Sequence, residues 1–181
     1  LFNIDQIYTI KSRNVTFNRK LNKIYSDESA TIKDTEENTY ILKENFVFDL
    51  NKDTIRAKSA TILDSNDNKY IFEDLIIKLK SNEIAGKEVK VEFKDSYFGN
   101  INNNPELKGR SAYSNENELK LYKAVFSTCN IENKKCRGWE LSSEEFNHDK
   151  KNKIFEYKNS WLKIFDFKTF YMPYFNHPDP T

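Results

Sequence analysis

Cysteine is almost missing from this chain: it has two, Cys129 and Cys136, both within the stretch "FSTCNIENKKCRGWELSS". Histidine is equally scarce, with only His148 and His177. Neither histidine has the spacing of a metalloprotease helix or a zinc finger, and the two cysteines and two histidines together match none of the usual zinc-ligand patterns. The four glycines are isolated, which excludes a glycine-rich phosphate loop, and no serine sits in a nucleophile elbow. No apolar run approaches the roughly 18 residues of a membrane helix. Charge of one sign is lacking as well: 29 basic side chains against 28 acidic ones leave +1. They are scattered rather than blocked, so there is no electrostatic footprint for nucleic acid. Carboxylates are plentiful but fall mostly in turns and form no convergent pair, so no enzymatic activity, metal or cofactor is expected. The chain opens on Leu1 without a basic-then-apolar leader and stops just after "NHPDPT", which reads as a piece of a longer protein.

What the chain does have is a repeat. The segments "IYSDESATIKD" from Ile24, "TIRAKSATILD" from Thr54 and "EIAGKEVKVEF" from Glu83 superpose at offsets of 30 and 29 residues. Tyr25, Ile55 and Ile84 share one column, and Asp27, Ala57 and Gly86 another. Ala30, Ala60 and Val89 form a third, and Ile32, Ile62 and Val91 a fourth. Self-similarity at a fixed period implies stacked copies of one supersecondary unit. Each copy alternates apolar and polar residues, as in Phe46, Phe48, Leu50 and Val89, Val91, Phe93, which is the period of a half-buried strand. Polar clusters such as "DLNKD" and "DSNDNK" supply the turns. The fold class is therefore all-β, a sandwich, jellyroll or open barrel of short strands.

Between Ala57 and Ala60 the apolar parity slips, which predicts a bulge or corner at Lys58 and Ser59. Small residues at Ala30, Ala57, Ala60 and Gly86 let neighbouring backbones approach there. "INNNP", from Ile101 to Pro105, separates the three copies from a less regular fourth beginning near Leu107. Three more apolar runs, around Trp139, Phe155 and Phe165, also read as strands. The tail "YMPYFNHPDPT" holds three of the four prolines and reads as a rigid, extended exit.

Aromatic residues are abundant, with 14 Phe, 10 Tyr and two Trp, and in such a fold they are chiefly core. The alternation assigns Phe46, Phe48, Ile55, Ile62, Ile76, Ile84, Val91 and Phe93 to an inward face, with Arg56 and Lys90 outward. Two sheets splayed apart over that face would form a groove able to hold acyl chains. Cys129 and Cys136 are separated by six residues and can come within disulfide reach. Two unrelated thiols fit the sequence equally well.

The run from Phe126 to Thr181 carries a resemblance. Its Cys-containing turn leads into Trp139-Glu140-Leu141, the pair His148-Asp149 follows, and the chain closes on "FYMPYFNHPDPT". In these features it resembles the end of the periplasmic N-terminal domain of the LptD family, the lipopolysaccharide-assembly outer-membrane proteins, in their α-proteobacterial form. The upstream repeats resemble the β-jellyroll units shared by LptD, LptA and LptC.

The resemblance implies an elongated open β-jellyroll built from repeats of about 30 residues, spanning 1–170. A Pro-rich exit segment, 171–181, would lead toward an outer-membrane β-barrel that this chain lacks. It implies a place at the periplasmic face of the outer membrane of a Gram-negative bacterium. Lipopolysaccharide would be received from an LptA-like bridge protein and its lipid A acyl chains held by the eight inward residues named above. The bridge would dock on an edge strand carrying Ile10 and Val15, and an LptE-like lipoprotein would associate through the missing barrel. Cys129 and Cys136 would form an oxidised staple. The rival expectation is a ligand-free β-repeat scaffold or adhesion domain with a filled core.

Overall fold

The computed structural model describes residues 2–4, 8–34, 37–94, 105–127 and 138–179. Among these there is no helix. The strands are β1 (Phe2–Ile4), β2 (Tyr8–Ser12), β3 (Thr16–Asn18), β4 (Lys23–Ser26), β5 (Ala30–Lys33), β6 (Thr39–Asp49) and β7 (Thr54–Leu63). They continue with β8 (Lys69–Lys78), β9 (Glu83–Glu92), β10 (Glu106–Ser114), β11 (Glu118–Ser127), β12 (Trp139–Asp149), β13 (Ile154–Ile164) and β14 (Phe167–Pro178). The all-β, jellyroll-like class expected from the sequence is the class observed.

The chain forms two compact units, Leu1–Lys87 and Glu88–Thr181, divided within β9. The segment expected as a Pro-rich exit, 171–181, is strand over residues 171–178. Residues 171–178 belong to β14 and pair along β13, because Pro173 and Pro178 fall on a strand with one partner, where a missing donor costs least.

In the first unit the strands run in the order β1-β2-β5-β6-β7-β8. The long strand β6 has a divided partner. Its first half pairs with β5 and its second half with β4, whose other neighbour is β3. Register partners share a face, so two apolar rows follow directly: Ile24, Phe48, Ile55, Ile77 on one side of the mid-strand and Ile32, Tyr40, Ile62, Tyr70 on the other.

Mid-strand corners keep one face inward along the whole length. In β7, Ala57 and Ala60 are buried while Lys58 and Ser59 both face solvent. Ser59 has φ 51°, a left-handed residue that turns two successive side chains outward where a flat strand allows one. The same device recurs at Glu88 (φ 45°), Lys123 (φ 54°) and Asn159 (φ 49°). It is the corner that the parity slip predicts. Across the first of these corners Glu44, Lys58 and Asp74 alternate in sign as register partners. At Gly86 a Cβ would collide with the Phe72 ring, the close approach that the small-residue column anticipates.

The first copy of the repeat departs from its alignment. Phe48 pairs with Ile24 on one side and Ile55 on the other, so Ile24, not Tyr25, is the structural counterpart of Ile55. Ser26 likewise stands where Asp27 is expected, and it is buried while Asp27 is exposed. The copies come back into step at Ala30, which is paired with Leu42 opposite Ala60. One additional residue at the corner splits this copy into β4 and β5, whereas the second copy is the continuous β7.

A second signature of the repeat lies in its turns. Asp34 Oδ2 accepts hydrogen bonds from Asn38 Nδ2 (2.8 Å) and Tyr40 Oη (2.9 Å), and its Oδ1 accepts from the Asn38 amide (2.9 Å). Thirty residues on, Asp64 repeats the pattern with Asn68 Nδ2 (2.9 Å), Tyr70 Oη (3.1 Å) and the Asn68 amide (2.8 Å). An Asp that receives the turn amide and the following Tyr hydroxyl ties the loop to the strand after it.

Candidate functional site

The eight inward residues fall in both units. Phe46, Phe48, Ile55 and Ile62 lie in the first unit and are buried, as is Val91 in the second. Phe48 and Ile55 are direct partners. Ile84 and Phe93 are half-buried, and Phe93 lies just beyond β9 with its amide donating to Pro105 O at 3.3 Å. Ile76 does not join the set. It is the register partner of Arg56, while Ile77 is the partner of Ile55 and only 2% exposed. The run Leu75-Ile76-Ile77 is apolar throughout, so alternation within it has no marker of face. The partner strand supplies that marker.

Ile10 is not on an edge. Strand β2 pairs with β5 on one side and β1 on the other, with Ile10 opposite both Ile32 and Phe2. Three residues too few for the sequence to register as a strand are enough to cover that edge. Val15 precedes β3, whose one partner among the described strands is β4, and Val15 is 40% exposed. Of the two expected docking residues, Val15 thus adjoins an edge and Ile10 does not. Cys129 and Cys136 lie outside the described residues.

The second unit holds a site that alternation did not single out. Two inner-face rows cross its strands: Leu107, Phe126, Leu141, Leu162, Phe170, and Ala112, Leu121, Phe146, Tyr157, Phe175. Both are buried at their start, with Leu107 at 2% and Leu121 at 0%, and both open toward solvent at β14, where Phe170 is 61% and Phe175 37% exposed. The last strand therefore presents an apolar inner face that no further strand covers among the described residues. Ile164 and Phe167 extend that face to the hairpin tip, where Phe165 and Asp166 both have positive φ. Phe165, expected within a strand, is instead turn residue and 69% exposed. A signal was available: "IFDFKTFYMPYF" carries six aromatics in twelve residues, more than alternate burial in a strand can absorb.

Polar groups close one end of this unit. His148 Nε2 lies 2.8 Å from Asp179 Oδ2, with side-chain exposures of 17% and 5%. Burial pushes the imidazole below its ordinary value, with Asp179 opposing that shift. The ring is therefore held toward its neutral form. His177 Nε2 lies 3.2 Å from Tyr157 Oη, and its ring stacks on Tyr157 at 5.6 Å. Burial pushes the Tyr157 phenol far up, so it stays protonated. No group of three or more candidate metal ligands converges among the described residues.

No model of a known protein family matches this chain, and no curated protein is significantly similar to it.

Proposed function

We propose that this chain is a lipid-carrying β-jellyroll domain that receives lipopolysaccharide and passes it on toward an outer-membrane barrel, as the LptD resemblance implies. The observation that carries the reading is the pair of inner-face rows that are buried at Leu107 and Leu121 and end exposed at Phe170 and Phe175. An apolar face continuous with a core and open at one strand is what an acyl chain requires in order to enter or leave sideways. Burial of chain surface there is worth roughly 25 cal/mol per Å², so a few contacts hold a lipid reversibly. In this reading the domain performs no chemistry, and lipopolysaccharide arrives from an LptA-like bridge. Docking at Val15 and β3 replaces the strand of Ile10 as the receiving edge, since a strand edge with no partner among the described strands can add a partner strand.

One observation favours a second reading, the ligand-free scaffold. Phe46, Phe48, Ile55 and Val91 are at most 1% exposed, as in a core filled by its own side chains. One experiment separates the two. Delipidated protein is titrated with a fluorescent acyl probe, and lipopolysaccharide is then added as competitor. Saturable binding that lipopolysaccharide reverses, and that Phe170→Asp weakens, supports the carrier. Absence of probe binding supports the scaffold.

A further inference from the structure

The outward face of the same strands carries a feature that a lipid path does not use. The second unit has a hollow of about 570 Å³ lined by Lys123, Val125, Ser142, Glu144, Asn159, Trp161, Lys168 and Tyr171, among others. Its floor is a cross-strand row: Val125 pairs with Ser142, Ser142 with Trp161, and Trp161 with Tyr171. This row alternates with the buried one that contains Ala124, Ser143 and Ser160, so core packing does not call for aromatic rings in it. The two rings nevertheless sit side by side, centroids 5.0 Å apart and tilted by 43°. Tyr171 is 44% exposed.

The corner builds the wall. Because Lys123 and Asn159 are left-handed residues, their side chains turn outward beside the row. There they are linked: Asn159 Nδ2 donates to Glu144 Oε2 at 2.9 Å, Lys123 Nζ lies 3.5 Å from Glu144 Oε1, and Tyr171 Oη donates to Asn159 Oδ1 at 3.0 Å. The Asn159 hydrogen bond and the Lys123 charge hold the Glu144 carboxyl below its ordinary value. It therefore stays an acceptor. Lys168 also lines the hollow, and its ammonium lies 5.1 Å from the centre of the Trp161 ring.

We propose that this hollow is a binding site for an acidic saccharide, a pyranose carrying a carboxylate or phosphate. The C–H face of a pyranose is apolar and electropositive, and it packs against aromatic faces such as those of Tyr171 and Trp161. Its hydroxyls are both donors and acceptors, and the wall offers an amide and a carboxylate beside the Ser142 hydroxyl of the floor. Lys168 selects the acid. Its ammonium leaves the weak hold of the ring for a full negative charge when an anionic group arrives, a stronger partner. The two lysines and one glutamate leave the rim net positive, which complements such a ligand. The proposal does not rest on the lipid-carrier reading, since the hollow lies on the other face of the strands and the probes carry no lipid.

The test uses the whole chain with Trp139→Phe, which leaves Trp161 as the one tryptophan. Trp139 lies against Phe126, ring centroids 5.8 Å apart and tilted by 59°, and does not line the hollow. Tryptophan emission is followed on titration with trigalacturonate, glucose 6-phosphate, neutral galactotriose and inorganic phosphate. Saturable binding of at least one acidic sugar, tighter than the neutral trisaccharide by about tenfold or more, is expected. Lys168→Ala abolishes that preference while leaving the neutral sugar unaffected. Asn159→Asp retains a residue type that tolerates the left-handed backbone but sets a second carboxylate beside Glu144, and so weakens the acidic sugar at least about tenfold. Absence of saturable binding by both acidic sugars overturns the proposal. So does inorganic phosphate competing as well as the sugars, which would leave only a bare cation, or Asn159→Asp binding unchanged in a protein with an unchanged melting temperature.

Discussion

Ile55 is the direct register partner of Ile77, and this places Ile76 across from Arg56 on the opposite face of β7 and β8. The face of each residue in this region follows from that one pairing. If acyl chains run along the inner face, photocrosslinking residues at positions 48, 55 and 77 label with lipopolysaccharide, and those at 56 and 76 do not. Equal labelling of 76 and 77 contradicts the assignment.

The same pairing sets the stability ranking. Phe48 and Ile55 are 0% and 1% exposed, and truncating either leaves a cavity that the stiff strands cannot fill. Phe48→Ala is expected to cost about 3–5 kcal/mol and Ile55→Ala about 2–5 kcal/mol, against about 1 kcal/mol for half-buried Ile76→Ala. Urea denaturation midpoints at constant slope measure the order.

The turn aspartates are expected to matter beyond their exposure. Asp64 accepts from the amides of Asn66 and Asn68, from Asn68 Nδ2 and from Tyr70 Oη. Asp64→Ala leaves these donors without their acceptor and is expected to cost about 2 kcal/mol. Tyr70→Phe removes a single donor and costs about 1 kcal/mol. Because both changes act on one acceptor, the double variant is less destabilised than the sum, which a thermodynamic cycle reads directly.

Acid is expected to loosen the second unit. Burial depresses the His148 pKa below the ordinary 6.5, with Asp179 and Asp149 opposing and Lys150 assisting. A group whose folded pKa is depressed contributes its stability above the unfolded value and loses it as pH falls through the folded one, since the unfolded chain then takes up more protons. Melting temperature should therefore fall as pH drops below about 6.5, and His148→Gln should flatten that slope. An identical slope in the variant would remove His148 from the effect.

The cysteine expectation is tested by a non-reducing peptide map of protein isolated from a cell envelope. Cys129 and Cys136 should be recovered as one linked pair, because thiols in an oxidising compartment are kept oxidised. Two free thiols contradict both the staple and the compartment that the LptD resemblance implies.

Much of this fold is legible in the linear chain. A period near 30 residues, strict alternation in "FVF" and "VKVEF", and polar turns are local properties. They determined the all-β class, the strand spacing, the corner at Lys58 and Ser59 and the buried status of Phe46, Phe48, Ile55, Ile62 and Val91. The turn signature was legible too, since Asp34-Asn38-Tyr40 and Asp64-Asn68-Tyr70 share the same offset. Only the tertiary structure decided the rest, because it depends on pairing. Which of Ile76 and Ile77 faces inward is set by the strand opposite, and the extra corner residue that moves Ile24 and Ser26 into the repeat columns is visible only where β4 meets β6. Likewise Ile10 lost its edge to the three residues of β1, too short a segment for alternation to mark. The aromatic residues of β14 look like core in composition, yet they stand exposed because no described strand follows to cover them.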